Sequence, residues 1–107
     1  MKLIFAIVNS DDSSAVSAAL TKEGFFVTKL ASTGGFLMSG NTTFLTCTEE
    51  EKVDRAIKII GDHSRKRKQL VSSSAGFGMN TYTAMPVEVT VGGATIIVTD
   101  VERFEKI

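Results

Sequence analysis

The sequence is poor in the residue types that build disulfides and metal sites. Its 107 residues include one cysteine, Cys47, and one histidine, His63, and no tryptophan. A single cysteine excludes a disulfide within the chain, and one cysteine with one histidine cannot supply the ligand cluster that holds zinc. We therefore expect neither a disulfide-stabilised fold nor a metal or other cofactor.

Net charge and long apolar runs are also missing. Twelve basic and twelve acidic residues cancel, so the chain as a whole has no attraction to nucleic acid polymers or membrane surfaces. The apolar run at 3–8 is far shorter than the ~20 residues of a transmembrane helix, and it lacks the length and cleavage site of a signal peptide. We expect a cytoplasmic protein in which this run is a buried strand.

What is present is the composition of one globular domain spanning 1–107. Hydrophobic residues make up 43% and charged residues 22% of the chain, which argues against disorder. The spacing of apolar residues predicts strands at 3–8, 25–31 and 42–47 and a short strand at 68–72. A first helix is predicted between the first two strands, capped by Asp11, Asp12 or Ser13 and ended by Gly24. A second helix is predicted after the third strand, with a capping box at Thr48 and Glu51 and a stop at Gly61 or Asp62.

The last third of the chain combines a long polar segment with two strands. Residues 72–85 are rich in serine, glycine and threonine, and we expect a mobile loop there. An alternating strand follows at 87–91, Gly92-Gly93 predicts a two-residue hairpin turn, and 94–101 is the returning strand. The order of elements predicts an α+β, ferredoxin-like βαββαβ sandwich: an antiparallel sheet with two helices on one face and an extra C-terminal hairpin.

Catalytic constellations are weak in this sequence. No serine lies in a G-x-S-x-G elbow, no acid is placed beside His63, and Cys47 has no basic sequence neighbour to lower the pKa of its thiol. The basic run at 65–68 is either a solvated face or a phosphate-binding patch. We therefore expect a binding protein and no enzyme.

The most informative segment runs from Thr28 to Thr43. Its glycines let backbone amides approach a ligand closely, and its hydroxyls and Asn41 can donate and accept hydrogen bonds. Phe36 and Leu37 are apolar within this polar stretch. They either pack on a neighbouring subunit or form a platform for a planar ligand such as a nucleobase.

The same segment carries a resemblance to a known family. Shared blocks are Thr28-Lys29-Leu30-Ala31-Ser32-Thr33-Gly34-Gly35-Phe36-Leu37, Gly40-Asn41-Thr42-Thr43-Phe44, Gln69-Leu70-Val71, Pro86-Val87-Glu88-Val89 and Val91-Gly92-Gly93-Ala94-Thr95. On these blocks, in register over essentially the whole chain, the sequence closely resembles the PII-like cyclic-di-AMP receptors of Gram-positive bacteria.

The resemblance implies a signal-transduction receptor without enzymatic activity. Its subunit would form a PII-like homotrimer with one cyclic-di-AMP site at each subunit interface, and an unidentified downstream protein would read the ligand state. The implied ligand contacts are Thr28, Gly35, Phe36, Leu37 and Asn41. Further contact positions hold Phe26, Cys47 and Ile97, where relatives can carry a basic residue, a glycine and an aromatic residue; at Met38 an arginine is common.

Two alternatives stay open at this point. A structural or scaffolding trimer with weak or lost nucleotide binding would fit the less cationic surroundings of the motif. A receptor for another adenine nucleotide such as ATP would need a basic site for the triphosphate, for which the run at 65–68 is the best candidate.

Overall fold

A computed structural model describes residues 1–30, 40–72 and 86–107 of the chain. The predicted loop therefore lies outside the described residues, apart from Ser72. The elements in chain order are β1 (Lys2–Asn9), a 3-10 turn (Ser10–Asp12), α1 (Ser13–Lys22), β2 (Thr28–Leu30), β3 (Asn41–Thr48), α2 (Glu50–Asp62), β4 (Arg67–Ser72), β5 (Pro86–Val91) and β6 (Ala94–Asp100).

Four of the strands form one sheet in the order β2-β3-β1-β6, and every neighbouring pair is antiparallel. The apolar β1 lies inside this sheet, as its continuous hydrophobic run predicts. β4 and β5 form a separate antiparallel two-stranded sheet, which we call the ribbon. An antiparallel sheet with two helices agrees with the predicted α+β, ferredoxin-like class.

The core lies between the helices and one face of the four-stranded sheet. Along β1, every second residue from Ile4 to Val8 is buried, because side chains of a strand alternate between the two faces. Full burial of one large aliphatic side chain contributes about 1.5–3 kcal/mol. The buried cluster comprises Ile4, Ala6, Val8, Val16, Leu20, Phe25, Phe44, Ala56, Ile59 and Ile60.

The first helix ends as predicted and begins in a different way. Gly24 follows the C-cap with a φ of 91°, a left-handed conformation that glycine adopts without strain. Asp12 occupies the N-cap position, but its side chain makes no capping hydrogen bond. That carboxylate instead pairs with Arg67, and Asn9 caps the preceding 3-10 turn by accepting from the Asp11 amide.

The predicted capping box of the second helix is wrong. Thr48 is the last residue of β3 and pairs with Lys2, so its backbone is held in the sheet. Glu49 becomes the N-cap, without a side-chain capping bond. The acidic first turn and the end of the helix at Asp62 match the prediction.

The predicted hairpin between β5 and β6 is also wrong. β6 pairs with β1 and β5 pairs with β4, so Gly92 and Gly93 link the ribbon to the four-stranded sheet. Gly92-Gly93 favours a hairpin locally, but two other interactions decide the strand pairing. β6 pairs with the edge of β1, and the Gly93 amide donates a hydrogen bond to the Ser64 carbonyl. An extra two-stranded unit exists, but its partner strands are β4 and β5.

The second strand is shorter than the predicted 25–31. Within the described residues it covers Thr28–Leu30, while Phe25 turns into the core and Phe26 is exposed. Ala31 lies outside the described residues. None of the helices in the described ranges is both long and apolar enough to cross a bilayer.

Candidate functional site

The face of the four-stranded sheet opposite the helices, which we call the open face, carries several predicted ligand residues. Thr28 in β2, Leu45 in β3, Phe5 in β1 and Ile97 in β6 lie opposite one another in a single row. Directly paired residues point to the same side of a sheet, so Thr28 and Ile97 share this face. Three interstrand spacings separate them, about 14 Å.

Phe26 and Cys47 meet at one end of the open face. Both line a cavity of about 190 Å³, together with Gly24, Glu49 and Lys52. Phe26 is 85% exposed, so its ring is accessible to a ligand or to another subunit. Cys47 is half-buried, consistent with a small apolar group at a strand end.

Asn41 lies at the other end of β3. It is the first residue of the strand and is paired with Asn9 at the end of β1. Both amide side chains border a cavity of about 410 Å³, which is also lined by Lys66, Gly92 and Gly93. This cavity therefore combines neutral hydrogen-bonding groups with one cation.

The two ends of the candidate site are well separated within one chain. Asn41 and Cys47 are six positions apart on an extended strand, which corresponds to about 20 Å. The structure thus brings Phe26 close to Cys47 and aligns Thr28 with Ile97, but it keeps Asn41 apart from Cys47. The predicted contacts Gly35, Phe36 and Leu37 lie outside the described residues.

The basic run at 65–68 is largely neutralised by carboxylates. Three of its four residues form ion pairs, with nitrogen–oxygen distances of 3.1 to 3.3 Å: Arg65 with Asp62, Arg67 with Asp12, and Lys68 with Glu88. Lys66, the fourth, lines the cavity beside Asn41 and has no ion-pair partner among the residues described. The run is therefore mainly a paired surface with a single cation directed to the candidate site.

The sole histidine takes part in the end of α2. Its Nδ1 lies 3.0 Å from the carbonyl oxygen of Ile59, so the ring interacts with the last helical turn. Next to it, hydrogen bonds from Lys58 and Arg65 hold the pKa of the Asp62 carboxyl below its ordinary value of 3.8. His63 and Asp62 both lie outside the cavities beside Asn41 and Phe26.

Some residues bordering the site carry no signal of ligand binding in the sequence, or only a general one. Lys66, which belongs to the basic run at 65–68, lines the cavity beside Asn41 together with Gly92 and Gly93, and the ammonium group of Lys106 lies 5.7 Å from the centre of the Phe26 ring. The paired glycines belong to a block shared with the family and predict a hairpin turn, but no local pattern predicts that they line the cavity beside Asn41. Lys106 is distant from Phe26 in sequence, and no local pattern connects the two.

Comparison with known proteins agrees with the resemblance of the sequence. The model of the family described as "Cyclic-di-AMP receptor" matches residues 1–107. Among solved structures, the chain is similar to a crystal structure of a functionally unknown protein from Pediococcus pentosaceus ATCC 25745, with 40% sequence identity and a TM-score of 0.75. The match covers 99% of this chain and 96% of that one. The protein belongs to the cyclic-di-AMP receptor family.

Proposed function

We propose that the protein is a cytoplasmic, non-catalytic signal-transduction receptor that binds cyclic-di-AMP between the subunits of a homotrimer. The ligand contacts would be Thr28, Asn41, Phe26, Cys47 and Ile97 together with Gly35, Phe36 and Leu37. Membership of the cyclic-di-AMP receptor family supports the ligand. The trimer and the individual contacts rest on the arguments that follow.

The observation that best supports a site shared between subunits is the separation of its two ends. Asn41 and Cys47 of one chain are about 20 Å apart, on opposite sides of the row that contains Thr28. A ligand bound beside Asn41 of one subunit would meet the Phe26 and Cys47 end only if a neighbour supplied it. The two separate cavities would then be halves of one composite site.

The apolar character of the open face supports association with further copies of the chain. Phe5 and Leu45 are half-buried, and Ile97 is 51% exposed although it is a large aliphatic side chain. Each 100 Å² of such surface removed from water contributes about 2.5 kcal/mol. A symmetric closed assembly would cover this face on every subunit in the same way.

The chemistry at the Asn41 end suits an adenine dinucleotide. The side-chain amide of Asn41 offers both a donor and an acceptor, which a base edge or ribose can use. Lys66 supplies one cation to the same cavity, where it can face a phosphodiester. With the neighbouring basic residues already paired, a triphosphate would find few free cations in the described residues.

Calorimetric titration with cyclic-di-AMP, with ATP as competitor, tests this function. We expect saturable binding with a micromolar or lower dissociation constant, one ligand per subunit, and no displacement by equimolar ATP. Light scattering on the same sample should give the mass of three chains. A trimer that takes no cyclic-di-AMP would support the scaffolding alternative, and displacement by ATP would support the adenine-nucleotide alternative.

A further inference from the structure

Ser10, the first residue of the 3-10 turn, forms hydrogen bonds with Gly40 and Thr42, the two residues that flank Asn41. The Ser10 amide donates to the carbonyl oxygen of Gly40 at 2.7 Å, and its hydroxyl oxygen lies 3.0 Å from that of Thr42. Thr42 is buried and Ser10 is exposed, so this hydroxyl pair is partly shielded from solvent. The position of the turn is consequently tied to the start of β3, where Asn41 stands.

The turn itself is held by local hydrogen bonds. The side-chain oxygen of Asn9 accepts from the Asp11 amide at 2.8 Å, and the Ser13 hydroxyl donates to the Ser10 carbonyl at 2.8 Å. These two bonds span the turn from its first residue to the start of α1. A shift of Ser10 is therefore transmitted to Asp12 within the same hydrogen-bonded unit.

Asp12 connects the turn to the ribbon. Both of its carboxylate oxygens face the guanidinium of Arg67, with distances of 3.1 and 3.2 Å, and only 11% of its side chain is exposed. The Arg67 Nη1 also lies 3.2 Å from the Arg65 carbonyl oxygen. A bidentate pair with one nearly buried member demands accurate geometry, because an unpaired buried carboxylate is costly.

Among the side chains that the structure describes, few polar contacts hold the ribbon against the domain. Two strands alone are marginally stable in water, so the ribbon depends on its attachment. Its own Lys68–Glu88 pair is exposed and joins one ribbon strand to the other, not to the domain. Where the ribbon meets the four-stranded sheet, the Gly93 amide donates to the Ser64 carbonyl, and among the described side chains Asp12–Arg67 is the ion pair between the ribbon and the rest of the domain.

We propose that the turn at Ser10–Asp12 and the Asp12–Arg67 pair couple the Asn41 end of β3 to the ribbon, so that events at Asn41 set how firmly the ribbon is held. This coupling rests on the proposed function for its ligand, since cyclic-di-AMP at Asn41 would be the natural input. Fixing Asn41 and Gly40 fixes Ser10, which in turn keeps Asp12 aligned with Arg67. When Asp12 is no longer aligned with Arg67, the ion pair breaks and the ribbon is released, so the ribbon has two states, held and released.

A double-mutant cycle on the ligand-free protein tests the coupling directly, with hydrogen exchange of the β4 and β5 amides as the readout. Arg67→Gln should raise their exchange at least about tenfold, and Asp12→Asn serves as the milder second variant. Thr42→Val, which removes the hydroxyl bound to Ser10, should raise exchange about threefold to tenfold.

The decisive measurement in the cycle is the hydrogen exchange of the β4 and β5 amides in the double variant Thr42→Val with Arg67→Gln. With Arg67 already replaced, Thr42→Val should add little, because the path from Thr42 to the ribbon is interrupted. Thr46→Val is the matched control: Thr46 is a buried threonine of the same strand whose hydroxyl has no partner among the described residues. The coupling would be overturned if the increases in ribbon exchange caused by Thr42→Val and Arg67→Gln multiplied in the double variant. It would also be overturned if Thr46→Val raised ribbon exchange as much as Thr42→Val.

Adding cyclic-di-AMP separates this inference from the proposed function. In the wild-type protein the ligand should slow exchange in the ribbon, whereas Arg67→Gln should still bind but show no such slowing. Slowing of equal size in Arg67→Gln would overturn the coupling while leaving the receptor function intact. Absence of binding to the wild type would overturn the receptor function, and the ligand-free cycle would still decide the coupling.

Discussion

Gly92 lies directly against the backbone carbonyl of Arg65, so closely that a Cβ at position 92 would be 2.5 Å from that oxygen. Its φ of 86° is also left-handed. Gly92→Ala should therefore lower the free energy of unfolding by about 3 kcal/mol or more, from backbone strain and steric overlap together. Chemical denaturation measures this loss.

Gly24→Ala is the control for that substitution. Gly24 has a similar φ of 91°, but a Cβ there would meet nothing within 4 Å. It should cost only the left-handed strain of about 1–2 kcal/mol. Equal losses for the two variants would contradict the close approach of Gly92 to Arg65.

Replacing Gly61 is expected to raise the free energy of unfolding, whereas replacing Gly92 or Gly24 lowers it. It lies inside α2, near the end of the helix, and a Cβ there would enter open space. Gly61→Ala should raise the free energy of unfolding by about 0.5–1 kcal/mol, because alanine loses less backbone entropy in a helix. Thermal and chemical unfolding curves check this, and a loss of stability would argue against the helical placement of Gly61.

The open face predicts an effect of charge on assembly. Ile97→Glu would place a carboxylate in the row beside Phe5, and we expect the proposed trimer to dissociate or weaken at least about tenfold. Leu70→Glu is the matched control, because Leu70 is 67% exposed and belongs to β4 of the ribbon, not to the four-stranded sheet. Sedimentation analysis of both variants measures the mass; an intact Ile97→Glu trimer would exclude the open face as the subunit contact.

Lys106 provides a test of the Phe26 end. An ammonium group over an exposed aromatic ring can serve both a stacked base and its phosphate. Lys106→Gln should weaken cyclic-di-AMP binding about threefold to tenfold and reduce its salt dependence. Arg103→Gln is the control, since Arg103 is paired with Glu105 on the same tail. Unchanged affinity and salt dependence in Lys106→Gln would exclude a ligand role for this lysine.

The parts of the fold that were predictable depend on local signals. The apolar run of β1, the acidic first turn of α2 and the stop at Gly24 each follow from short-range chemistry, and the structure agrees with them. The pairing of β6 was missed because Gly92-Gly93 signals a turn locally. The choice of partner strand is made by burial and hydrogen bonding of residues far away in sequence, such as Ser64.

In the candidate site too, some features can be predicted from the sequence and others depend on residues that are distant in the chain. The resemblance of the sequence implies Thr28 as a ligand contact, and the structure places Thr28 on the open face. Its alignment with Ile97 follows only from the register of four strands. Asp12 is one of three candidate caps in the sequence, but its carboxylate makes no capping hydrogen bond and pairs instead with Arg67, a partner 55 residues away.

The proposed receptor function can be tested by titrating cyclic-di-AMP into the wild-type protein and into Asn41→Ala and Asn41→Asp. We expect saturable binding to the wild type and at least about tenfold weaker binding to both variants, because each loses the amide donor and the aspartate also repels the phosphates. Folding of the variants should be unchanged by circular dichroism, since Asn41 is exposed at the start of β3. No binding to the wild type would exclude the proposed receptor function, and equal affinity in all three proteins would exclude Asn41 as a ligand contact.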